Sequence, residues 1–363
     1  MDKFAPIRTV WDKFISKCAQ HYTPNENLTV DEQLLAFRGK CHFRMYIPNK
    51  PAKYGIKLVM VNDAKTSYML NAIPYLGKEN SRPTEGLQLG HMYTKQLTEP
   101  YHNTNRNVTT DNWFTSVPLV TDLTKKCGMT LVGTVRANKR EIPNVVKEKK
   151  NRAPGSKAFL FNNDMTLVSY LPNTAKAKKN VLLLSSMHRQ PTVAENGKPE
   201  IIQFYNQTKG GTDTFDQMCA HFSCSRKTNR WPMCMFFGIV NAAVVNSFLI
   251  YRENTTKEHP GSKVQRKNFM SDLAASMIRP SCEERISAQT LARHIKLSIS
   301  QVCSINLSST GTAGGPSAAE MKEPARRCSL CEAKADRKTR FRCHSCKAAV
   351  CQHHYYPMCP NCV

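Results

Sequence analysis

The sequence predicts an α/β protein built on a mixed β-sheet, with a β-rich insertion, flanking helices and a small zinc-binding unit near the C-terminus. Two apolar runs, at residues 56–61 and 68–70, flank a polar break and predict a hairpin. A β-branched run at 107–110 precedes a helical pattern and another strand-like run. Seven cysteines crowd into the last 36 residues at the spacing of metal ligands.

The segment 1–54 is predicted to be mainly helical. From Pro6 to Gln20, apolar residues recur at intervals of three and four, which indicates an amphipathic helix with one buried face. Thr29 and Glu32 have the spacing of a capping box, which predicts a helix beginning at the segment DEQLLAF. The hairpin follows, with Asp63 at the end of its buried first strand.

The next elements are a helix at HMYTKQLTEPY, a strand at Asn107–Thr110, a helix at Val117–Lys126 and a strand at Met129–Val135. The strand at Asn107–Thr110 leads directly into Asp111. This succession of hairpin, helix, strand, helix and strand matches a mixed sheet of ribonuclease H-like type. We therefore expect residues 55–137 to form the first part of such a core.

Past this core the sequence becomes strongly basic and then rich in strand-forming residues. Runs at Met165–Leu171 and Val181–Leu184 predict strands of a β-rich insertion that covers residues 138–199. Ile201–Tyr205 is predicted to be a further strand.

The segment GGTDTFDQM has the composition of a helix start, with Thr212 or Asp213 as the N-cap. Asp213 and Asp216 are three residues apart and would share one face of that helix. Residues 200–222 are accordingly assigned to the last part of the core.

The remaining chain is predicted to be helical and then irregular. Pro232–Tyr251 is apolar around most of its circumference, which favours a buried core helix. The shorter segments MSDLAASMI and AQTLARHIKLSIS are also helical in pattern, so residues 223–303 form a helical domain. Residues 304–325 are rich in Ser, Gly and Thr and predict a flexible linker, followed by a Cys/His-rich domain at 326–363.

Charge and cysteine usage narrow the function classes. The formal net charge is +25, and a polyanion such as nucleic acid is the expected partner of so basic a chain. The N-terminus lacks the apolar core of a signal peptide, and no membrane partner is expected. Eight scattered cysteines outside the C-terminal cluster favour a reducing, intracellular compartment over disulfides.

Carboxylates in three separate segments are candidate metal ligands. They are Asp63, Asp111 and Asp213, with Asp216 as a further acid. Carboxylate oxygens suit Mg²⁺ or Mn²⁺, and two such ions can activate a nucleophile and stabilise the leaving oxygen of a phosphodiester. The alternative is that they are ordinary surface or turn aspartates.

Two basic segments are candidate DNA-binding surfaces, since they combine cations with groups that can stack on bases. Their candidate contact residues are Arg136, Lys139 and Arg140 in the first, and Arg226, Lys227, Arg230 and Trp231 in the second. A solvated basic loop is the alternative for the first segment, and packing of Trp231 against the next helix is the alternative for the second.

The Cys/His-rich tail carries four ligand pairs, enough for two tetrahedral Zn²⁺ sites that stabilise a segment with little core of its own. An interleaved cross-brace would place Cys328, Cys331, Cys351 and His354 at one ion, and Cys343, Cys346, Cys359 and Cys362 at the other. His353 is the alternative to His354, and redox-active cysteines are the alternative to zinc.

Several long motifs resemble the piggyBac family of DNA transposases. They are DEQLLAFRGKCHFRMYIPNKPAKYGIK, TDNWFTS, GTVRANKREIP, YNQTKGGTDTFDQM and CSRKTNRWP, in this order and followed by the Cys/His tail. The resemblance implies a ribonuclease H-like core in which aspartates bind two Mg²⁺ ions and catalyse nicking, hairpin formation and strand transfer into TTAA targets. It matches those aspartates to Asp63, Asp111 and Asp213, with Asp216 nearby.

The resemblance also implies partners and a location. They are double-stranded DNA at transposon ends, read by the tail, a second copy of the chain bound through the helical domain, and the nucleus. Family members usually carry a long segment before a motif such as DEQLLAFRG, so we expect this chain to be truncated at its N-terminus. Its activity therefore stays open between a metal-dependent transposase and a non-catalytic DNA- or chromatin-binding protein, with a RING-type ligase as a third class.

Overall fold

The computed structural model of the chain describes residues 2–77, 88–147, 152–173, 180–288, 290–304, 325–343 and 346–354. Two compact units, Met1–Leu273 and Ala274–Val363, make up the chain. The larger unit contains the sheet and the acidic residues, whereas the smaller one contains the Cys/His-rich segment.

One mixed sheet dominates the first unit. Among the described residues its strands are Asn27–Ala36 (β1), Arg44–Tyr46 (β2), Tyr54–Asp63 (β3), Met69–Pro74 (β4), Asn107–Thr110 (β5), Thr130–Thr134 (β6), Lys157–Phe161 (β7), Thr166–Tyr170 (β8) and Val181–Ser185 (β9). The order across the sheet is β2-β3-β1-β5-β6-β9-β8-β7, and β4 also pairs with β3. Strands β1, β5 and β6 are mutually parallel, and the other pairs are antiparallel.

The helices pack around this sheet or follow it in the chain. They are Ala5–Gln20 (α1), Leu89–Thr98 (α2), Val117–Lys126 (α3), Glu200–Thr208 (α4), Gly211–Ala220 (α5), Trp231–Glu258 (α6), Arg266–Ile286 (α7) and Arg293–Cys303 (α8). In the second unit, Arg326–Arg327 (β10) and Lys338–Thr339 (β11) form a short antiparallel pair.

The structure confirms most elements that periodicity predicted. Helix α1 buries Ile7, Trp11 and Cys18, which recur at the predicted spacing. The hairpin of β3 and β4, the strand β5 and the helices α2, α3 and α6 lie where the pattern placed them. The α/β class with a mixed sheet is therefore confirmed.

The helix predicted at DEQLLAF is wrong, because that segment belongs to strand β1. The Thr29 and Glu32 capping signal is local and worth about 1 kcal/mol. Strand β1 instead pairs over nine positions with β3 and over four with β5, and its Leu28 and Val30 are fully buried. Pairing and burial in the centre of the sheet therefore stabilise this segment as a strand by more than the cap would stabilise it as a helix.

The strand predicted at Ile201–Tyr205 is also wrong, because the segment forms helix α4. Its Ile201 and Ile202 are buried in a cluster with Val132, Val168 and Leu183 of the sheet. A short apolar run does not by itself distinguish a strand from one face of a helix. The N-cap of α5 is Gly210, so the assignment of Thr212 or Asp213 to that position is wrong too.

The segment predicted as a β-rich insertion supplies β7, β8 and β9, of which β7 was not foreseen. Strand β9 pairs antiparallel with β6, so these strands extend the main sheet. Of the linker predicted at 304–325, residues 305–324 lie outside the described residues.

Helix α6 is fixed to the sheet by one buried amide. Asn246 donates to the carbonyl of Met69 at 2.8 Å and accepts from its N–H at 2.9 Å. Apolar neighbours on the same face, among them Met235, Val245 and Leu249, are fully buried. By length and composition alone α6 could cross a membrane, but this face packs in the core of the first unit.

Replacing Asn246 by Ala is expected to lower the free energy of unfolding by about 2–4 kcal/mol, because both backbone groups of buried Met69 lose their partner. Ser247→Ala, at the exposed neighbour on α6, should change it by less than about 0.5 kcal/mol. Urea denaturation of both variants measures the difference, and equal losses would contradict the role given to the amide.

Candidate active site and metal-ligand cluster

The acidic site is built by matched segments of two parallel strands. Residues 27–31 read NLTVD and residues 107–111 read NVTTD, and the pairing aligns Asn27 with Asn107 and Val30 with Thr110. Asp31 and Asp111 are therefore the next residues along adjacent strands. Side chains alternate between faces, so both carboxylates lie on the face that carries Thr29 and Thr109.

The turn between α4 and α5 covers that same face. Thr29 Oγ1 donates to the carbonyl of Thr208 at 2.6 Å, and Thr109 Oγ1 donates to Thr208 Oγ1 at 2.8 Å. A Cβ atom on Gly211 would lie 2.7 Å from Thr29 Oγ1, so only glycine permits this approach of α5 to the sheet. The first turn of α5 is thereby held against β1.

Helix α5 then runs along β1 and presents its own acids. Gln33 Nε2 donates to Asp216 Oδ1 at 2.9 Å, and Lys50 Nζ lies 3.8 Å from Asp213 Oδ1. Thr29, Asp31 and Gln33 share one face of β1, so α5 passes along that face between its contacts at Thr29 and Gln33. The site thus combines Asp31, Asp111, Asp213 and Asp216.

Burial and neighbouring charges shift the pKa values of groups in this region. Burial, and then the charges of Glu32 and Asp111, raise the pKa of Asp31 to about 8, although Lys50 opposes the shift. Burial also raises the pKa of Asp111. It raises the pKa of Tyr205 on α4 as well, and the charges of Asp111, Asp31 and Asp213 add to that rise. The Tyr205 hydroxyl therefore lies within electrostatic range of all three carboxylates.

The prediction that Asp63 is a metal ligand of this site is wrong. Asp63 pairs with Leu28, so its side chain lies on the opposite face from Asp31 and three residues, about 10 Å, further along the strand. Its carboxylate is fully buried and accepts hydrogen bonds from the N–H groups of Asn25, Lys65 and Thr66 at 2.6, 2.8 and 2.9 Å. Asp63 therefore caps the hairpin turn.

Asp31 is the functional candidate that the sequence prediction missed. The repeated pattern of Asn, an apolar residue, Thr, a β-branched residue and Asp was the available signal. It was hidden because the segment was interpreted as the start of a helix.

The predicted basic residues fall in two places. Arg136 Nε donates to Asn112 Oδ1 at 3.0 Å, which places the guanidinium beside the acidic site, and Lys139 contacts Gln88 on the same side. Arg140 is exposed in the same turn. Arg226 and Lys227 line a groove of about 1010 Å³ together with Asp213 and Asp216, and Arg230 is exposed at the end of that loop.

Trp231 has a packing role instead of the predicted stacking on a base. Its ring stacks on Phe4 with centroids 5.8 Å apart and meets the edge of Phe43 at 5.0 Å. The indole therefore joins Phe4, next to α1, and the β1–β2 connection to the start of α6.

In the second unit, Cys328, Cys331, Cys351 and His354 bring their ligand atoms within 4.8 Å of one another. The sulfurs of Cys331 and Cys351 are 3.6 Å apart, and each lies 3.5 Å from His354 Nδ1. Tetrahedral Zn²⁺ with bonds of about 2.3 Å would place sulfur ligands about 3.8 Å apart, so this set fits zinc. His354, and not His353, occupies the fourth position.

The other predicted zinc set is only partly described. Cys343 is buried and Cys346 is exposed, whereas Cys359 and Cys362 lie outside the described residues.

The fold and the acidic end of its parallel strands place the chain among DDE-type transposases, and the family model described as Transposase IS4 matches residues 1–248. The structure is similar to a piggyBac transposase solved as a synaptic complex with hairpin DNA, with a TM-score of 0.83 and 46% identity over 100% of this chain and 74% of that one. The chain belongs to the piggyBac transposase family.

Two curated human proteins are also similar to it. The human PiggyBac transposable element-derived protein 3 is 26% identical over an alignment of 259 positions that covers 66% of this chain and 43% of that protein. The human chimeric ERCC6-PGBD3 protein is 26% identical over 259 residues, and the match covers 24% of its length. The chain thus spans less than half the length of either curated relative.

The opposite roles of Asp63 and Asp31 predict opposite effects on stability. Asp63→Ala should lower the free energy of unfolding by about 2–4 kcal/mol, because the N–H groups of Asn25, Lys65 and buried Thr66 lose their acceptor. Asp31→Asn should raise it in buffer without divalent metal. The folded-state pKa of Asp31 is above the unfolded value, so its ionised form costs stability as the pH rises through 4 and towards 8.

Denaturant unfolding of both variants at pH 5 and pH 8 checks these expectations. The gain for Asp31→Asn should be at least about 1 kcal/mol larger at pH 8 than at pH 5. A stabilised Asp63→Ala variant, or a gain at position 31 that is independent of pH, would contradict the assignments.

Proposed function

We propose that this chain is a metal-dependent DNA transposase that cleaves and transfers DNA strands from a ribonuclease H-like core. The observation that carries the proposal is the register of β1 with β5, which aligns the segments that lead into Asp31 and Asp111. Asp213 on α5, 3.8 Å from Lys50, supports it as the third acid. The sheet order around β1, with antiparallel strands on one side and parallel ones on the other, supports the ribonuclease H-like assignment.

Three carboxylates from β1, from the end of β5 and from α5 provide the hard oxygen ligands that Mg²⁺ and Mn²⁺ prefer. Burial raises the pKa of Asp31 and of Asp111, so a bound cation would stabilise the ionised form of both carboxylates. We infer a site for two Mg²⁺ ions, held by Asp31, Asp111 and Asp213, with Asp216 held by Gln33 beside them. Bound there, the ions would activate the attacking oxygen and stabilise the leaving one.

The chain's own groups would orient the DNA around this site. Lys50 is tied to the carbonyl of Glu32 at 2.9 Å and faces Asp213, so its ammonium is positioned to contact a phosphate at the cleavage site. Arg136, held by Asn112 next to Asp111, would contact the strand on the other side. Lys139 and Arg140 extend this basic surface.

The net charge of +25 and the solved relative's hairpin DNA support DNA as the substrate. By family membership, we extend the proposal to double-stranded transposon ends and TTAA targets as the DNA substrates. The partner would be a second copy of the chain, and the location the nucleus. A non-catalytic DNA-binding protein derived from such a transposase is the second candidate, and the retained carboxylates favour the catalytic one.

The Cys/His-rich domain is proposed to bind two structural Zn²⁺ ions. The cluster of Cys328, Cys331, Cys351 and His354 supports the first site, where the N–H of Cys351 donates to the Cys328 sulfur at 3.1 Å. Cys343, Cys346, Cys359 and Cys362 would hold the second ion.

Cleavage of a radiolabelled DNA end with Mg²⁺ tests the catalytic assignment. Asp31→Asn, Asp111→Asn and Asp213→Asn are each expected to reduce strand cleavage by at least about a hundredfold, since each removes a ligand charge at the transition state. Asp12→Asn, at an exposed position on α1, is the matched control and should cleave normally.

Asp63→Asn tests whether Asp63 or Asp31 acts together with Asp111 and Asp213. We expect it to keep cleavage activity at a temperature where circular dichroism shows it folded, because its carboxylate faces away from the site. Loss of activity in folded Asp63→Asn together with full activity in Asp31→Asn would overturn the assignment. DNA binding without cleavage by the unmodified chain would favour the non-catalytic candidate.

Metal analysis of the purified full chain is expected to find about two zinc ions per chain. Cys331→Ser should lose about one of them and leave the free energy of unfolding of the larger unit unchanged, whereas Cys282→Ser, outside the cluster, should lose none. A zinc content near zero in the unmodified chain would exclude the two-ion assignment.

A further inference from the structure

The loop between α5 and α6 combines exposed cations with an unusual degree of restraint. It runs from His221 to Arg230 without regular secondary structure, and both Arg226 and Lys227 are exposed. Within the described ranges, neither cation takes part in an ion pair. Their charges are therefore available to a ligand.

One amide on α6 holds the beginning of this loop. Asn241 Oδ1 accepts from the N–H of Cys224 at 2.9 Å, and its Nδ2 donates to Ser223 Oγ at 3.0 Å and to Ser225 Oγ at 3.1 Å. These bonds use the acceptor and both donor hydrogens of the side chain. Ser225 is immediately followed by Arg226, so the restraint acts directly on the approach to the cations.

The far end of the loop rests on the connection after β1. A Cβ atom on Gly39 would lie 2.7 Å from the carbonyl oxygen of Asn229, so the absence of a side chain there lets the two backbones touch. The N–H of Arg230 is also bonded to Thr228 Oγ1 at 3.1 Å. Arg226 and Lys227 thus lie between two fixed points.

Arg226 and Lys227, restrained in this way, line the groove of about 1010 Å³ beside the acidic site. Asp213 and Asp216 of α5 line the groove too, and Lys50 and Arg38 add positive charge to it. A phosphodiester strand fits such a groove, because its phosphates can contact the cations while an adjacent bond reaches the carboxylates and their metal ions.

We propose that Asn241 is a positioning residue that fixes the Ser223–Ser225 segment so that Arg226 and Lys227 contact backbone phosphates of a DNA strand in this groove. The inference rests on the proposed function for its ligand, since DNA is the substrate assumed there. It gives a half-buried amide of α6 a role in substrate binding that its sequence position does not reveal. The amide itself does not contact the DNA.

The test is the salt dependence of DNA binding, measured by fluorescence anisotropy with a labelled DNA hairpin oligonucleotide and no added divalent metal. The variants are Arg226→Ala/Lys227→Ala, Asn241→Ala and the combination of all three changes. Each lost phosphate contact reduces the slope of log K against log salt by about 0.9 on duplex DNA. The double alanine variant should therefore lose about 1.8 of the slope.

Asn241→Ala removes no charge, yet it is expected to reduce the slope by at least about 0.9, because the freed loop no longer presents its cations. Added to Arg226→Ala/Lys227→Ala, it should cause no further loss, since both changes act through the same contacts. Ser223→Ala/Ser225→Ala removes two hydrogen-bond partners of Asn241 at exposed positions and should reproduce part of the reduction in slope. Because these changes lie outside α6, a reduced slope in this variant cannot result from misfolding of that helix. Ser247→Ala on α6 is the control.

An unchanged slope for Asn241→Ala, or a loss that adds in full to that of the cation variant, would overturn the proposal. An unchanged slope for Arg226→Ala/Lys227→Ala would overturn it as well, since the loop would then bind no phosphate. Because binding is measured without cleavage, inactivity of the acidic site leaves these outcomes unaffected, and failure of the whole chain to bind the hairpin would count against the proposed function itself.

Discussion

The in-register parallel pairing of β1 with β5 is the constraint on which the rest of the site depends. It aligns two similar segments, so that two carboxylates separated by eighty positions in the chain lie at one level and on one face. A shift of one residue would turn one of them to the other face. Nine paired positions between β1 and β3 oppose that shift, because Leu28 and Val30 would leave the core.

A cluster of carboxylates destabilises the folded protein, and neighbouring residues limit this destabilisation. Partial burial and mutual repulsion raise the pKa of Asp31, while Lys50 and Lys57 bring compensating charge to the neighbouring acids. Lys57 in turn lies over the ring of Trp113, two residues beyond Asp111. The clustered carboxylates lower stability, and such a loss is expected at a functional position.

Polar side chains, as much as apolar packing, place the third acid and the basic loop. Thr29, Thr109 and Thr208 join the two parallel strands to the α4–α5 turn, and this bond network fixes where α5 begins. Helix α6 uses two amides for two tasks: Asn246 binds the backbone of β4 in the core, whereas Asn241 binds the loop that follows α5. Satisfied polar groups of this kind specify one arrangement where apolar contacts would tolerate several.

The sequence by itself determined the α/β class, the hairpin, most helices, the acidic character of positions 111 and 213, and a cysteine spacing that fits a metal cluster. These follow from periodicity and spacing, which are local properties. Only the tertiary structure decided that β1 is a strand, that Ile201–Tyr205 is helical, and that the segment ending in Asp31, and not the one ending in Asp63, aligns with the segment ending in Asp111. The reason is physical: strand pairing, face and burial are set by partners distant in the chain, and they outweigh a local cap or a short apolar run.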